Sequence, residues 1–437
     1  MADDQVSVGV LSLHTSKETK AILNSIEALG HEAHWLRHDT IEVTIEDGVV
    51  SIEPPVDVVI NRLLLSRTDK LGEFLGLAYV YADVVPILNR PEAVLRALHK
   101  FAAATTLSAK GIAVPDSYLA LDQARLDEFA PTYGERAVYK FTIGTHGEGT
   151  SLVRTDELLE PLAMDRQTFL QEFIETDVDR PFDYRIYVVG GEVVGAMCRT
   201  AREGEFRTNV AEGGAVEDVT DSLPTMVKEM AIDVTETVGL DYAGIDIIER
   251  DGTWYVLEVN TTAGFRGLFA ATDVNPAPFI AKLAIDQVGG TVDPDRVDML
   301  TETLDDSIPS CHPGLNENRD EHRPPIGYTE RVSVSGTAGT ETVLAKSDTG
   351  ARRTSIDLGL AAEIGAGPIK QSTRVRSGLR QTAKARPVVD LVVGVSGTWH
   401  TVTASIEDRN HMVYPVLLGR DILQHYHVDV TRGVEEE

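Results

Sequence analysis

Asp246, Glu258 and Asn260 are the residues whose types and spacing most clearly indicate chemistry. Glu258 and Asn260 lie two positions apart in the strand-like run VLEVN, so they project from the same face of a strand. Asp246 lies in the run GIDII, on the other side of an Asp251-Gly252 pair that is typical of a hairpin turn. Two carboxylates and an amide oxygen are hard ligands that suit Mg²⁺. The alternative is a solvated strand with alternating carboxylates, but charge within such apolar runs requires a partner.

A glycine-rich segment, KFTIGTHGEGT, follows the strand-like run AVY. Its glycines, Gly144, Gly147 and Gly149, allow backbone N–H groups to approach phosphate oxygens closely. Lys140 precedes them and can neutralise phosphate charge. A glycine-rich hairpin without a ligand is the alternative. Together with the hard-ligand set, the segment indicates a site for a nucleotide and its metal ion.

The triplet Asp348-Thr349-Gly350 stands where a strand-like run ends in a turn, and Gly419-Arg420-Asp421 follows an apolar run about 70 residues later. The two segments resemble the active-site loop of retropepsins and the segment packed behind it, with a plain turn as the alternative. Aspartic proteolysis requires two carboxylates around one water. One Asp348 per chain therefore requires a homo-oligomer, or a metal ion in place of the second carboxylate. We do not expect zinc, because the nearby histidines have no standard spacing: His400, His411, His425 and His427.

The elements that must position these residues form an α/β pattern. Residues 6–13 are β-rich, and apolar residues recur on one helical face over 16–29, where Gly30 is a natural end. Strand-like runs follow, which indicates a small α/β unit. Residues 92–110 have a helical pattern, and 137–259 predict mostly strands with interspersed helices and glycine-rich turns.

The last third of the chain has a different pattern. An acidic, proline-bearing stretch is typical of a linker, and short alternating strands beyond it predict a small β-barrel-like domain. These strands are expected at 330–334, 342–346, 388–395, 401–406 and 416–418. We expect an α/β domain at 1–95, a second α/β domain at 96–290, the linker at 291–325 and the β domain at 326–437.

Composition excludes several classes of protein. Of 437 residues 42% are apolar, which is enough for packed cores, and two cysteines cannot make a disulfide framework. We find neither an apolar run that could span a bilayer nor a signal peptide, so we expect a cytoplasmic protein without membrane contact. Forty basic against 69 acidic residues give a net charge of −29, which argues against nucleic-acid binding. This surface suits concentrated salt, so a halophilic source is a hypothesis.

Residues 1–288 resemble ATP-grasp ligases of the RimK type. The resemblance rests on Lys100, Lys140, the glycine-rich segment, QEFIE, DYR and GIDII with LEVN, in the family's order. It implies an ATP-grasp fold with a preceding pre-ATP-grasp domain, and ATP with two Mg²⁺ or Mn²⁺ ions. The implied ligands are Lys100 and Lys140 for the phosphates, Glu172, Phe173 and Ile174 for the adenine, Glu175 for the ribose, and Asp246, Glu258 and Asn260 for the metal.

At positions that correspond to the family's substrate side, this chain has arginines, whose guanidinium groups can bind a carboxylate or an acyl phosphate in a bidentate manner. Each arginine taken alone could also form a surface ion pair. The implied catalytic residues are Arg199 and Arg207, and the implied substrate-binding residues are Asp183, Arg185 and Asn209.

The chain departs from the family pattern in three places. His99 precedes Lys100 where the family usually has Asp, and Thr261-Thr262-Ala263-Gly264 lacks a proline. Glu212 stands where the family tends to have a cation. The ATP apparatus is intact, but the identity of the acceptor stays open.

The resemblance implies a carboxylate–amine ligase that adds L-glutamate to a protein or peptide acceptor through an acyl phosphate. The C-terminal part resembles a protease-like domain linked with such ligases, often described as an ATP-dependent zinc protease, which would use Asp348 to bind or trim the product. Residues 369–388 carry six basic and no acidic residues, which suits an oligoglutamate tail. One alternative is a ligase for a small-molecule acceptor with a docking domain. Another is a peptidase regulated by an ATP-binding domain.

Overall fold

The computed structural model divides the chain into two compact units, Met1–Leu315 and Asn316–Glu437. In the described part of the chain, no helix combines the length and the apolar character needed to cross a membrane. The described residues are 5–68, 70–144, 149–159, 166–175, 180–202, 208, 215–311, 323–367, 369–375, 384–409 and 412–434.

The first unit begins with a four-stranded parallel sheet of order β2-β1-β5-β6 and a separate β3–β4 hairpin. Strands β1 and β5 are buried apolar runs, as is usual for a parallel sheet. The elements are β1 (Ser7–Leu11), α1 (Lys17–Ala28), β2 (Glu32–Leu36), β3 (Glu42–Glu46), β4 (Val49–Glu53), β5 (Val58–Asn61), α2 (Leu71–Val84), β6 (Ile87–Leu88) and α3 (Pro91–Leu98).

The helix predicted over 16–29 is confirmed as α1. The Ser16 side chain accepts a hydrogen bond from the backbone N–H of Thr19, which caps the first turn. Ile22 and Ile26 are buried on its apolar face. Gly30 follows the helix with a φ of 93°, a conformation that glycine adopts at little cost.

The next elements form an antiparallel sheet of order β7-β10-β8-β9. The helical pattern predicted over 92–110 is two helices, because the backbone leaves helical geometry at His99. The elements are α4 (Lys100–Ser108), β7 (Ser117–Leu119), α5 (Gln123–Phe129), β8 (Arg136–Phe141), β9 (Thr150–Arg154) and β10 (Thr168–Glu172).

A five-stranded antiparallel sheet of order β13-β12-β11-β14-β15 follows. Helix α6 packs its apolar side, including Ala231 and Val234, against one face of this sheet. The elements are β11 (Phe182–Val189), β12 (Glu192–Thr200), β13 (Ala215–Asp218), α6 (Thr225–Val238), β14 (Tyr242–Arg250), β15 (Thr253–Asn260), α7 (Arg266–Thr272), α8 (Ala277–Gln287) and α9 (Pro294–Thr301).

The segment predicted as a linker, 291–325, differs from that prediction in its first part. Residues Pro294–Thr301 form α9, which buries Val297 in the apolar core of the first unit. Lys17 also forms an ion pair of 2.9 Å with Asp306. The first part of this acidic stretch is therefore packed against the first unit, because a few apolar side chains are enough to anchor it.

The second unit contains a closed β-barrel. Its strand order is β17-β18-β23-β19-β22-β21, with β17 paired to β21 to close the ring and β20 added outside β21. The five strands predicted for this region are confirmed. The elements are β16 (Pro325–Gly327), β17 (Thr329–Ser335), β18 (Thr340–Ser347), β19 (Ser355–Asp357), α10 (Leu358–Glu363), β20 (Ile369–Val375), β21 (Lys384–Val395), β22 (Thr398–Glu407), β23 (Val416–Leu418), α11 (Arg420–Leu423) and β24 (His427–Asp429).

Candidate active site

One face of the five-stranded sheet carries the polar side chains that the sequence analysis singled out. Because alternate residues of a strand share a face, Ile186 and Ile245 point toward α6, and their chain neighbours point the other way. Cross-strand register brings Asp183 opposite Arg199, Arg185 opposite Asp246, and Asp246 opposite Glu258. The shared face is made of Asp183, Arg185, Arg199, Asp246, Glu258 and Asn260.

Asp246 lies at the centre of this face and is 5% exposed. Arg185 donates from Nε to Oδ1 at 2.6 Å and from Nη2 to Oδ2 at 2.7 Å. The Nη2 atom of Arg199 lies 3.0 Å from Oδ2. Burial opposes ionisation, but the two guanidinium groups outweigh it and hold the pKa of Asp246 far below its usual range. Asp246 is therefore a charged carboxylate at neutral pH.

Arg199 joins two carboxylates. It donates from Nε and Nη2 to the two carboxylate oxygens of Asp183, both at 2.7 Å, while it also contacts Asp246. The Thr208 hydroxyl donates a further hydrogen bond of 2.6 Å to Asp183. These charge-assisted bonds fix the orientation of the Arg199 guanidinium on this side of the sheet.

Lys100 reaches the same face from a helix terminus. The ring nitrogen Nδ1 of His99 accepts from the backbone N–H of Ala102 at 3.1 Å and caps α4, which places Lys100 at its first position. The Nζ atom of Lys100 then forms an ion pair with Glu258. The departure at His99 is thus compatible with the position that Lys100 requires.

The predicted metal ligands Asp246, Glu258 and Asn260 lie next to one another on this face. In the amide orientation that satisfies both atoms, Asn260 donates to Glu258 at 3.3 Å and accepts from Arg185 at 3.2 Å. Among the described residues, no three His, Cys, Asp or Glu side chains group closely enough to hold a metal ion. Two carboxylates and one amide oxygen are a donor set of the kind that suits Mg²⁺, and metal binding by these three residues stays a prediction.

Lys140 lies on β8 of the four-stranded sheet. Its Nζ donates to the Gln171 side-chain oxygen on β10 at 2.6 Å. Burial, reinforced by the positive charge of Lys100, lowers the pKa of Lys140 to about 8. A partly buried ammonium group with a second cation nearby favours the approach of an anion.

The segment predicted to contact adenine and ribose begins at the end of β10. Glu172 forms an ion pair with Arg250 at 2.7 Å, and Ile174 is buried. The guanidinium of Arg136 lies 5.0 Å from the centre of the Phe173 ring, and Arg136 also pairs with Glu175. The nucleotide contacts of Glu172, Phe173, Ile174 and Glu175 stay predictions.

The glycine-rich segment is described at its two ends. The carbonyl oxygen of Gly149 accepts from the Phe141 backbone N–H at 2.8 Å, and the φ of Gly149 is 66°. A Cβ atom added at Gly149 would lie 1.7 Å from the Phe141 ring, so the turn requires glycine. Gly144 is buried. The predicted site residues Gly147, Arg207 and Asn209 lie outside the described residues.

Three buried polar residues that the sequence analysis did not single out, Asn61, Arg62 and Asn89, lie at the end of the parallel sheet near the start of β14. Asn61 donates from its side chain to the Asn89 carbonyl, and Asn89 does the same to the Tyr242 carbonyl, at 3.1 and 2.9 Å. Arg62 follows Asn61 and is 3% exposed. The sequence signal that could have identified them is the pair Asn-Arg directly after the apolar run VDVVI. Polar residues at the end of a buried strand are themselves buried and therefore require hydrogen-bond partners.

The Asp-Thr-Gly loop of the second unit is a closed turn. Asp348 donates from its backbone N–H to the Leu418 carbonyl, and its Oδ1 accepts from Gly350 and Ala351 at 3.0 and 3.2 Å. Asp421 accepts from both the backbone N–H and the hydroxyl of Thr354. The two motifs are therefore held at neighbouring parts of the barrel.

The histidines of this unit are also partly placed. The rings of His400 and His425 stack with their centres 5.2 Å apart, and Nε2 of His400 lies 2.6 Å from the Tyr426 hydroxyl. His411 lies outside the described residues. The expectation of no zinc stays a prediction.

Comparison with known proteins relates the first unit to a known family of domains. Residues 97–283 match the model of the RimK-like ATP-grasp domain. A probable alpha-L-glutamate ligase 2 of Hahella chejuensis (strain KCTC 2396) is 33% identical over 303 residues, a match that covers 65% of this chain and 96% of the relative.

Solved structures share the fold. The ATP-grasp ligase PsnB complexed with minimal precursor has a TM-score of 0.52 and 21% identity, covering 65% of this chain and 100% of PsnB. PsnB with a phosphomimetic precursor variant, Mg and ADP has a TM-score of 0.51 and 19% identity, covering 65% and 99%.

The fold and the family match together define an ATP-grasp ligase, an ATP-dependent enzyme class. This chain belongs to the RimK-like ATP-grasp family. The expected α/β ATP-grasp fold is confirmed, as is a small β-barrel in the C-terminal part.

Proposed function

We propose that the protein joins a carboxylate to an amine at the expense of ATP and adds L-glutamate to a protein or peptide acceptor. One observation carries the proposal: Asp246, Glu258 and Asn260 lie on one sheet face together with Arg185 and Arg199. The names of relatives such as the probable alpha-L-glutamate ligase support glutamate as the amine substrate.

ATP binding is proposed for the region between the two antiparallel sheets of the first unit. Asp246, Glu258 and Asn260 would hold Mg²⁺, which would supply positive charge to neutralise nucleotide phosphates. Without ligand, Lys100 and the two arginines neutralise these carboxylates. Lys100 and Lys140 would then turn to the phosphates, a change that their flexible side chains permit.

The reaction proposed for this site has two steps. An oxygen of the acceptor carboxylate attacks the γ-phosphorus of ATP, which breaks the bond to ADP and gives an acyl phosphate. The neutral amine of glutamate then attacks the acyl carbon and phosphate leaves, while the nitrogen loses one proton to water and keeps the other as the amide N–H. Lys100 and Lys140 would neutralise the phosphoryl oxygens, and Arg199 would neutralise the acyl phosphate. No side-chain nucleophile is required.

Labelled glutamate tests this proposal. Purified protein receives ATP, Mg²⁺, labelled L-glutamate and cell extract in molar KCl, and the label is then separated by size. ATP-dependent label in protein is the expected result, and Asp246→Asn should abolish it. ATP-dependent label confined to small molecules would instead support the alternative acceptor, a coenzyme or an amino-acid carrier. No ATP-dependent label in either fraction would refute the proposal.

For the C-terminal barrel we propose a role in binding the acceptor or trimming the product. The presence of one Asp348 per chain favours binding, since cleavage by two aspartates would require a second copy in a homo-oligomer. Asp348→Ala separates the two roles. A docking barrel keeps its affinity for a glutamate-tailed peptide after the substitution, whereas a peptidase loses cleavage of that peptide.

A further inference from the structure

Arg62 is a charged residue in an apolar interior. It directly follows β5, and its backbone N–H donates to the Leu11 carbonyl at 2.9 Å, so its main chain continues the parallel sheet. The residue is 3% exposed. A guanidinium group so far from water is costly unless an anion or several hydrogen-bond acceptors face it.

The described part of the chain provides no carboxylate for Arg62. Its guanidinium lies 5.3 Å from the centre of the Phe265 ring and close to the Tyr242 hydroxyl, and its Nε–H has no hydrogen-bond partner. Arg185 and Arg199, in contrast, both have carboxylate partners. Arg62 is thus a buried cation without a carboxylate partner among the described residues, and its Nε–H is available to an incoming acceptor.

The space that Arg62 faces adjoins the candidate active site. Arg62 shares a crevice with Tyr187, Gly244 and Asn260, which belong to β11, β14 and β15. Asn260 also contacts Arg185 and Glu258, so the crevice and the predicted metal ligands share a wall. The crevice is narrow and largely apolar, and Arg62 is the charged side chain among the described residues that line it.

The position of Arg62 is fixed by neighbouring hydrogen bonds. The Tyr242 hydroxyl donates to the Asn61 carbonyl at 2.6 Å, and the Asn61 side-chain oxygen accepts from the Leu63 N–H at 3.2 Å. The Asn89 side chain accepts from the backbone N–H of Asp241 at 2.8 Å. These contacts tie the end of β5 to the start of β14, so Arg62 is preorganised for a ligand.

We propose that Arg62 binds a carboxylate of the incoming amino acid, an inference that rests on the function proposed above. The amino acid reacts through its amine and keeps its carboxylates, which therefore need a binding partner and not a catalyst. A guanidinium group matches a carboxylate through two parallel hydrogen bonds, and its strength increases where water is excluded. The carboxylate is the α-carboxylate or the side-chain carboxylate of glutamate.

Substrate kinetics of Arg62→Gln test this inference, with ATP and Mg²⁺ saturating and the acceptor extract held constant. We expect the apparent KM for glutamate to rise about 10–100-fold, the range for a lost charge-assisted hydrogen bond, with the KM for ATP unchanged. Arg62→Lys keeps the positive charge but not the two parallel N–H donors of the guanidinium group, and it should raise the KM for glutamate by a smaller factor. Arg96→Gln is the matched control, since Arg96 donates to the Val238 carbonyl at 2.7 Å, away from the site.

Two analogues identify the carboxylate and provide a readout that a merely structural role would not change. L-Glutamine replaces the side-chain carboxylate by an amide, and glutamate α-amide replaces the other one. With the wild-type protein, one of the two analogues should have a higher KM than glutamate. With Arg62→Gln the same analogue should have no higher KM than glutamate, because the arginine that its missing carboxylate would contact is already absent. If each analogue raises the KM relative to glutamate by the same factor in the wild type and in Arg62→Gln, the inference is overturned.

The remaining outcomes separate this inference from the proposed function. Wild-type protein without glutamate-dependent ATP consumption would refute the proposed function and this inference with it. An active wild type with an unchanged glutamate KM in Arg62→Gln would overturn the inference alone. A rise confined to the KM of ATP or of the acceptor would overturn it as well. Thermal melting and Mg-ATP binding of Arg62→Lys show whether the fold is retained.

Discussion

Nucleotide binding should take up protons at Lys140. The free protein holds the pKa of Lys140 at about 8 instead of 10.5, through burial and then the charge of Lys100. A nucleotide phosphate beside the ammonium favours its charged form and raises the pKa again. With a free-state pKa of 8, the uptake is about 0.1 proton at pH 7, 0.5 at pH 8 and 0.9 at pH 9. Phosphate groups themselves are already ionised at these values.

Calorimetric titration with ADP and Mg²⁺ in buffers of different ionisation enthalpy measures this uptake directly. We expect Lys140→Met to remove the pH-dependent part and to weaken binding at least tenfold, because one charge-assisted contact is lost. Lys110→Met is the matched control, since Lys110 is exposed on the same unit and should leave both quantities unchanged. Equal proton uptake by the wild type and Lys140→Met at pH 8 would refute the reasoning.

The same shift has a consequence for stability. A lysine whose pKa is lowered on folding destabilises the protein fully below its folded pKa, and this cost is relieved as pH rises from about 8 to 10.5. The shift corresponds to roughly 3 kcal/mol as an upper bound, and partial exposure reduces it to about 1–2 kcal/mol. Lys140→Met should therefore raise the free energy of unfolding at pH 7, as urea denaturation can measure. No gain in stability would show that Lys140 is better solvated than the structure indicates.

Three further predictions concern other parts of the molecule. Asp246→Asn should lower ligase turnover at least 100-fold in the labelled-glutamate assay, since it removes the central carboxylate; near-normal turnover would exclude a metal role. Gly149→Ala should raise the KM for ATP about tenfold, because its Cβ would collide with Phe141 and its φ is positive; an unchanged KM would place the turn away from ATP. Asp421→Asn should destabilise the barrel by about 1–3 kcal/mol in calorimetric melting, since Thr354 loses a charged acceptor; ATP turnover should persist.

Local sequence rules predicted much of the fold correctly. Period-2 alternation and the Asp251-Gly252 turn gave the β14–β15 hairpin with Asp246 opposite Glu258, because strand geometry and turn chemistry are local properties. The apolar stripe and the stop at Gly30 gave α1 for the same reason. The linker prediction was wrong at α9, where composition outweighed the few apolar residues that anchor the helix.

The sequence by itself determined which residues could carry the chemistry: two carboxylates and an amide in one hairpin, and lysines before and within the glycine-rich region. Only the tertiary structure decided their electrostatic state, because Arg185 and Arg199 reach Asp246 from strands distant in the chain. Arg62 belongs to the same category, since its burial depends on Phe265 and Tyr242 about 180 to 200 residues away. Residue type and local periodicity are properties of the amino-acid sequence, whereas desolvation and charge pairing arise only when remote segments pack together.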